Sequence, residues 1–302
     1  MHRTLSADMV RTDWIKSIPF VIIHLLPLGL LWTGVRPIDW VVCFGLYFAR
    51  MFFITGVYHR YFSHRSYKMG RVMQFLMAFG GTTAAQKGPL WWAAHHRNHH
   101  KLSDLPGDAH SPKDGFLWSH VLWILSNAHD ETHWDKIKDF AKYPELRWLN
   151  TWYGIPPALL GIATYLIGGW SMLLCGFFLS TAILYHGTFS INSFAHLFGR
   201  RRFVTTDTSR NSLICALITM GEGWHNNHHY YQSSTNMGFY WYEIDCTYYI
   251  LKVLSWVGLV SGLRKPPAHV LAKNLVKENV DVGMQPDAAL LPGMTDSLTP
   301  AE

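Results

Sequence analysis

The chain has 302 residues, of which only 15% are charged and 15% are aromatic, including 14 Trp. Soluble domains usually carry about 25% charged residues, so the composition argues against a soluble protein and favours a membrane protein with aromatic residues at its interfaces. The net charge of +6 suits anionic lipid headgroups and requires no nucleic acid.

The polar segment 1–16 precedes the first apolar run, and no small-residue cleavage pattern follows that run. We therefore expect a membrane anchor preceded by a cytosolic N-terminal segment, rather than a removed signal peptide.

Four apolar runs predict transmembrane helices arranged as two hairpins. The runs cover residues 17–35, 39–57, 152–167 and 171–191. The first two are near the ~20 residues that a helix needs to cross the hydrocarbon core, and only a short connection, Arg36-Pro37-Ile38, separates them. The last two flank Gly168-Gly169-Trp170 in the same way. The sequence predicts an all-α integral membrane protein with four transmembrane helices.

Two further apolar stretches are not expected to cross the membrane. Residues 72–90 are rich in Gly, Thr and Ala and contain Gln86 and Lys87, which is typical of an interfacial or re-entrant segment. Residues 213–220 are too short to cross and lead directly into a histidine cluster.

The last segment, 265–302, is rich in Pro, Gly, Asp and Ala and is predicted to be a disordered cytosolic tail. Residues 17–264 are therefore expected to form a single membrane domain.

Nine histidines fall into four short clusters between the apolar runs. They are His59 and His64; His96, His99 and His100; His196, one helical turn after Asn192; and His225, His228 and His229. Spacings of three and four residues place side chains on one helix face. His59 and His64, five apart, diverge by about 140° on a regular helix, so the helix must end or distort between them.

Nine neutral imidazoles exceed the ligand number of one ion and predict two transition-metal ions in a cytosolic helical cap. Nitrogen ligation is compatible with Fe, Cu, Ni or Zn. Four isolated cysteines, with no C-x-x-C pair, argue against a thiolate site. Glu222, Asp104, Asp108 and Asp207 are candidates to hold the second ring nitrogen of a ligand. The nine other histidines, including His24, His95, His110, His120 and His186, are not assigned to the metal.

Lys and Arg are unevenly distributed between the two sides of the predicted membrane domain. The turns inside the hairpins carry only Arg36. The side that holds the histidine clusters carries Arg60, Arg65, Lys68, Arg71, Arg97, Lys101, Arg200, Arg201, Arg202 and Arg210. Because cytoplasmic loops are enriched in Lys and Arg, the clusters and both termini are predicted to be cytoplasmic.

The clusters and their flanking residues resemble the histidine boxes of integral-membrane fatty acid desaturases, specifically the acyl-CoA Δ9 (stearoyl-CoA-like) group. The matching segments are His59-Arg-Tyr-Phe-Ser-His64-Arg-Ser-Tyr-Lys68, His96-Arg-Asn-His99-His100-Lys101, Gly115-Phe-Leu-Trp-Ser-His-Val121, Asn192-Ser-Phe-Ala-His196-Leu-Phe-Gly199 and Gly221-Glu-Gly-Trp-His-Asn-Asn-His-His229. The resemblance extends over roughly residues 40–262.

The resemblance implies an enzyme that introduces a cis double bond, Δ9 favoured, into a saturated acyl chain. It implies two Fe ions held by the nine histidines, with Asn192 acting through a water molecule, Trp92 along the acyl channel and Gln86 nearby. O2 is the implied co-substrate. Electrons would come from NAD(P)H through a reductase and a separate ferredoxin, rubredoxin or b5-type cytochrome, since no H-P-G-G segment is present.

The chain departs from the family pattern where acyl-CoA members bind their nucleotide. The expected W-A-R-D reads Trp92-Ala93-Ala94-His95, and a second expected basic pair reads Lys113-Asp114. Lys87 could compensate for part of the lost charge. Acyl-CoA is the first expectation, and acyl carrier protein and phospholipid stay open as carriers. Before the first box, Val57 and Tyr58 are bulkier than the family's small residues.

Two other functions are compatible with these residues. A histidine-box lipid or alkane hydroxylase, or a ketolase, shares diffuse H-x-x-x-H patterns, but the segment from Asn192 to His196 and Gly221-Glu-Gly-Trp favour a desaturase. A membrane metal transporter would need polar ligands inside its spans, where only His24 and Arg50 occur.

Overall fold

The structure is a computed structural model that describes residues 12–276. Regular structure in this range is almost entirely helical, which confirms the predicted class. The short strands β1 (Lys68–Met69) and β2 (Val260–Ser261) pair antiparallel. The α-helices are α1 (Trp14–Leu25), α2 (Leu30–Thr33), α3 (Pro37–Phe52), α4 (Arg71–Thr82), α5 (Pro89–Leu102), α6 (Trp123–Leu125), α7 (Lys138–Ala141), α8 (Pro144–Thr151), α9 (Ile155–Met172), α10 (Ser180–Leu197), α11 (Leu213–Ile218), α12 (His225–Tyr230), α13 (Cys246–Trp256) and α14 (Ala268–Leu271).

Tighter and wider helical turns interrupt or extend these helices. Three segments are π-helical: Phe53–Ser63, Trp118–Leu122 and Leu173–Leu179. Four segments are 3-10 helices: Leu26–Gly29, Pro112–Asp114, Asn127–His129 and Trp134–Lys136. Because π-turns are rare and concentrate at functional sites, the one that continues α3 into the first histidine cluster is the most informative of them.

Within residues 12–276, three continuous helical segments are long and apolar enough to cross a membrane: Trp14–Thr33, Pro37–Ser63 and Ile155–Leu197. The third contains both of the last two predicted runs. Its chain reverses at Gly169, whose φ of 71° and ψ of −160° are not helical, so that Gly161 packs against Phe177. The mostly helical, membrane-compatible fold is thus established, and four crossings arranged as two hairpins stay a prediction.

The turns at one end of these helices are joined by Arg36. Its Nη2 donates to Asp39 Oδ1 at 2.7 Å and to the carbonyl oxygen of Gly168 at 2.7 Å. The connection that precedes α3 therefore lies against the reversal at Gly169 within α9. Arg36 is the one basic residue that the sequence places in these turns.

A buried arginine fixes α3 against α10 closer to the histidines. Arg50 is 1% exposed, and its guanidinium donates to Thr181 Oγ1 and to Ser180 Oγ, each at 2.7 Å. A buried charge without hydrogen bonds is strongly unfavourable, so these contacts set the relative position of the two helices. The continuation of α3 carries His59 and His64, and α10 carries His196.

A row of three hydrogen-bonded histidines links α1 to α10, in addition to the contacts that Arg50 makes between α3 and α10. His24 Nε2 lies 3.1 Å from His186 Nε2, and His186 Nδ1 lies 3.0 Å from His120 Nε2. His120 Nδ1 contacts Ser193 Oγ at 2.9 Å. These three histidines lie outside the nine clustered ones and connect two apolar segments with the turn Trp118–Leu122.

Both shorter apolar stretches form helices that are too short to cross a membrane. Residues 72–90 contain α4 and the start of α5, and between the two helices Ala85 and Lys87 adopt positive φ values of 56° and 60°. Their interfacial or re-entrant placement stays a prediction. The α11 helix has six residues and leads toward α12, as expected.

The ends of the chain are only partly described. Residues 1–11 of the predicted N-terminal segment and 277–302 of the predicted tail lie outside the described range. The disordered tail 265–302 therefore stays a prediction. In its described part, α14 forms and Val276 N donates to the carbonyl oxygen of Arg202 at 2.8 Å. Pairing with residues next to the last histidine cluster holds this stretch in place.

Candidate metal centre

The first histidine pair is brought together by the π-helix that continues α3. In Phe53–Ser63 the backbone hydrogen bonds join residues that are five apart. At its end, His64 N donates to the carbonyl oxygen of His59 at 3.2 Å. Five residues are close to one turn in this geometry, so the two rings are only 4.9 Å apart between centroids. The predicted distortion is therefore present, as a widened helix rather than a helix end.

The α5 helix begins with Pro89 at its first turn, a position where the missing N–H costs nothing. Arg97 on this helix donates to the carbonyl oxygens of Phe62 and Ser63 at 2.6 and 2.9 Å. It therefore fastens α5 to the end of the π-helix. This contact brings the cluster at His96, His99 and His100 beside the cluster at His59 and His64.

The nine histidines divide into two adjoining groups. Group one comprises His59, His64, His96, His100 and His228, which each offer one nitrogen within 4.8 Å of all the others. Its closest Nε2 pairs are His59 with His228 and His64 with His96, both at 3.0 Å, and His100 with His228 at 2.8 Å.

Group two comprises His99, His196 and His229, with nitrogens again within 4.8 Å of one another. His225 joins it through its Nε2, which lies 3.0 Å from His196 Nε2. The groups adjoin because His99 and His100 are consecutive on α5, and His228 and His229 are consecutive on α12. Each of these two helices therefore contributes to both groups.

Carboxylates hold the second ring nitrogen of several of these histidines. His99 Nδ1 contacts Asp108 Oδ1 at 2.8 Å, and His229 Nδ1 contacts Asp207 Oδ2 at 2.7 Å. Glu222 Oε2 contacts His59 Nδ1. A proton on Nδ1 leaves the Nε2 lone pair free for a metal, so these contacts select the tautomer that ligation requires.

The fourth candidate acid acts partly through a hydroxyl group. His196 Nδ1 lies 3.2 Å from Thr208 Oγ1, which donates to Asp104 Oδ2 at 2.7 Å. Asp104 Oδ2 is itself 3.7 Å from His196 Nδ1. All four acids named from the sequence thus lie beside a clustered histidine.

The electrostatics favour ionised Asp108 and Asp207 and neutral His100 and His228. His99 differs, because burial lowers its pKa but the adjacent Asp108 carboxylate outweighs burial and raises it. Burial raises the pKa of Asp108 and Asp207, but the adjacent His99 and His229 outweigh it and hold both pKa values well below the usual range. Burial, together with neighbouring histidines, lowers the pKa of His100 and His228 well below its usual value. Neutral imidazole is the form that ligates a metal.

The residues fit a dimetal centre. His229 Nε2 is buried and has no hydrogen-bond partner in the described part of the chain, although Asp207 fixes the opposite nitrogen. A buried nitrogen lone pair of this kind is unfavourable unless a ligand satisfies it. Two groups of neutral nitrogen donors match the ligand preference of Fe, Cu, Ni or Zn, and they would hold one ion each.

A largely apolar cavity adjoins both groups. Its wall is formed by Met51, Ile54, Thr55, Trp92, Thr188, Ile191, Asn192, Thr219 and Glu222, together with His59, His96, His99 and His225. The Trp92 indole stacks on His96 with 5.0 Å between ring centroids. Gln86 lies beside the cavity and donates from Nε2 to Thr188 Oγ1 at 3.0 Å.

Asn192 lies in the wall of the same cavity, one turn before His196 on α10. The structure therefore brings together every site residue predicted from the sequence. Their roles as ligands, channel residues or water-mediated contacts stay proposals.

The sequence pattern missed a buried ion-pair network beneath group one. Arg60, which the sequence analysis assigns to the exposed basic side, is 0% exposed. It donates to Glu222 Oε1 at 3.0 Å and to Asp245 Oδ1 at 2.9 Å. This network orients Glu222 toward His59. Its only sequence signal is the position of Arg60 directly after a clustered histidine.

His110 is a second residue that the sequence analysis left unassigned. It is 7% exposed, and its ring lies 4.2 Å from that of His99 between centroids. Its backbone N donates to Asp108 Oδ1 at 3.3 Å. It packs against group two, and a single isolated histidine gives no sequence signal of that contact.

The fatty acid desaturase family model matches residues 38–252 of this chain. The sn-2 palmitoyl-lipid 9-desaturase of Nostoc sp. (strain 36) is 34% identical over 84% of this chain and 91% of its own length. The chloroplastic palmitoyl-monogalactosyldiacylglycerol delta-7 desaturase of Arabidopsis thaliana is 35% identical over 80% and 65%. The acyl-CoA C20 Delta5-desaturase of Anemone leveillei is 34% identical over 74% and 73%.

Replacement of Asp207 by Asn should weaken metal binding by about 10- to 100-fold, the usual effect of losing the partner that orients a ligand. The amide keeps the shape of the carboxylate but loses the charge that holds the His229 Nδ1 proton. Metal retained per chain during titration with a chelator measures this loss. Asp135→Asn serves as the control, because Asp135 is 60% exposed and pairs only with Lys136.

Equal metal retention in both variants, with unchanged unfolding midpoints, would contradict the role given to Asp207.

Proposed function

Because the chain belongs to the fatty acid desaturase family, we propose that it is an O2-dependent desaturase that introduces a cis double bond, at the Δ9 position, into a saturated fatty acyl chain. The observation that carries this proposal is the pair of adjoining histidine groups at the wall of an apolar cavity. The Δ9 position follows the relative named as a 9-desaturase, whereas other relatives are named for the delta-7 and Delta5 positions.

Iron bound to the two groups would supply the redox chemistry with O2 that an unactivated methylene requires, since such a C–H bond has no acidic proton. For each double bond formed, O2 accepts two hydrogens from the acyl chain, two electrons and two protons, and leaves as water. The nine histidines hold the two ions, and their buried carboxylate partners keep the ligand tautomers fixed.

The protein's own contribution is position and the exclusion of water. Met51, Ile54 and Ile191 give the cavity an apolar wall, which favours an acyl chain over solvent. Trp92, stacked on His96, sets the chain's distance from group one. Asn192 reaches group two from the same wall through a water molecule.

We propose a membrane-lipid ester as the acyl carrier, rather than acyl-CoA. The phosphates of CoA need free cations, but the cations at the positions where the family binds them are engaged. Lys87 Nζ pairs with Asp130 Oδ1 at 2.8 Å, and Asp130 also pairs with Lys16. Lys113 Nζ donates to the carbonyl oxygen of Asp104 at 3.0 Å.

His95, which replaces an expected charged residue, is also unsuited to bind phosphate. It is 5% exposed, and its Nε2 contacts the carbonyl oxygen of Glu131 at 3.0 Å. Two of the three relatives described above are named for lipid-linked palmitoyl substrates, and the third is named for acyl-CoA. The balance of contacts therefore favours the lipid, against the first expectation from the sequence.

We further propose a multi-pass membrane protein with the metal groups and both termini on the cytoplasmic side. The concentration of Lys and Arg beside the histidine clusters supports this orientation. Electrons would come from NAD(P)H through a separate small carrier protein and its reductase.

Expression in a host that lacks a desaturase should produce cis-monounsaturated fatty acids, with the double bond located by mass spectrometry. His228→Ala should abolish this product, because His228 Nε2 contacts both His59 and His100 in group one. The exposed His269 gives the matched control, and His269→Ala should retain full activity.

Alcohols or ketones in place of the alkene would favour the hydroxylase or ketolase. Metal flux without any change in lipid unsaturation would favour the transporter.

The carrier can be tested with phosphatidylglycerol labelled in both its glycerol and its palmitoyl chain. Membranes containing the enzyme should yield a lipid that carries both labels and the new double bond. Lys87→Met should change this rate by less than about two-fold, because a partly exposed ion pair contributes little. A product that first appears as acyl-CoA, or an activity lost with Lys87, would return the proposal to CoA.

A further inference from the structure

His64 and His100, both in group one, each lie next to an exposed residue in the chain. Their rings are 4.6 Å apart between centroids, and both are partly exposed. Among the nine clustered histidines, all of which are in the described range, only these two and His196 have an exposed residue next to them in the chain. For His196 that residue is the apolar Leu197.

The residues that follow His64 and His100 are both exposed cations, Arg65 and Lys101. The side chain of Arg65 is 64% exposed, and its one carboxylate contact is with Asp139 at 3.7 Å. Asp139 is already paired with Arg97 at 2.9 Å. Within residues 12–276, the side chain of Lys101 has neither a hydrogen-bond nor an ion-pair partner.

Arg65 adopts an unusual backbone conformation. Its φ of 49° is in the left-handed region, which is unfavourable for a residue other than glycine. The bond from Arg65 N to the carbonyl oxygen of Tyr61, at 2.9 Å, holds this conformation at the end of the π-helix. A cation is thereby presented on the surface directly beside a metal-ligating histidine.

The cavity proposed to hold the acyl chain is lined by histidines other than His64 and His100. His59, His96, His99 and His225 form part of its wall, and neither His64 nor His100 does. His228 Nε2 nevertheless connects His100, which is outside the cavity wall, with His59, which is part of it. The distances are 2.8 Å to His100 Nε2 and 3.0 Å to His59 Nε2. A protein bound over His64 and His100 would leave the substrate side of the centre free.

We propose that the docking patch, defined as Arg65 and Lys101 with the edges of His64 and His100, binds a small acidic electron-transfer protein. This inference rests on the proposed function, which requires two electrons per double bond. Electron tunnelling weakens steeply with distance, so the carrier must dock where the surface is nearest to the metals. Unpaired cations attract and orient an acidic partner.

The other arginine-rich segment is less suited to this role. Arg202 Nη1 pairs with Glu243 at 2.5 Å and its guanidinium lies over Tyr240 at 4.3 Å. Arg201 Nη2 donates to the carbonyl oxygen of Thr205 at 2.9 Å. The charges of Arg201 and Arg202 are thus engaged within the fold, whereas Arg65 and Lys101 are exposed; Arg200, in the same segment, is exposed as well.

The test compares two double charge-reversal variants. The patch variant carries Arg65→Glu and Lys101→Glu, and the control variant carries Lys252→Glu and Lys265→Glu. Both control residues are exposed, and the change in net charge is the same. The full-length, iron-loaded protein in nanodiscs is titrated with two acidic probes, a plant-type [2Fe–2S] ferredoxin and a b5-type cytochrome. Dissociation constants are measured at several salt concentrations.

We expect the patch variant to bind at least one probe ten-fold or more weakly than wild type, with a shallower salt dependence. The control variant should match wild type. Lys101→Glu alone should give an intermediate loss, which guards against a folding defect caused by the strained Arg65 position. Unchanged binding of both probes to the patch variant, or no binding of either to wild type at low salt, would overturn the proposal.

A single-turnover assay separates docking from chemistry. The protein is reduced chemically without the carrier, O2 is added, and the double bonds formed per chain are counted. The patch variant should equal wild type here and lose only carrier-driven turnover. No double bonds in wild type would refute the proposed function itself. A variant that loses binding to phosphatidylglycerol vesicles but not to either probe would make the patch a lipid contact and refute the docking proposal.

Discussion

Nine imidazoles can share one buried volume only if they stay neutral and point their free nitrogens at common positions. Burial favours the neutral form of His100 and His228, because it lowers their pKa, whereas the Asp108 carboxylate outweighs burial at His99 and raises its pKa. The buried acids then decide which nitrogen is free, as Asp108 does for His99 and Asp207 does for His229. The segments that carry these acids must therefore hold each carboxylate within hydrogen-bond distance of a particular ring.

The polypeptide meets this requirement with unusual local geometry. A π-helix brings His59 and His64 together, and consecutive histidines on α5 and α12 supply both groups from the same two helices. Arg60, fully buried, connects Glu222 to Asp245 beneath group one. Polar groups that are costly to bury are thus paired with one another.

Much of this site could be predicted from spacing, because spacings of three and four residues fix the facing of side chains on a helix. The five-residue interval from His59 to His64 even predicted a distortion. The division into two groups could not be predicted, since it depends on the rotation of α5 relative to α12. The burial of Arg60 and the contact of His110 with His99 arise from tertiary packing alone, and the order of residues 265–276 depends on pairing with Arg202.

The central claim is that the nine histidines hold two ions, one in each group. The most direct measurement is iron quantified per chain in the purified protein, combined with X-ray absorption at the iron edge. The account predicts two iron ions per chain with nitrogen and oxygen neighbours and no sulfur. One ion per chain at saturation, or sulfur in the ligand sphere, would contradict it.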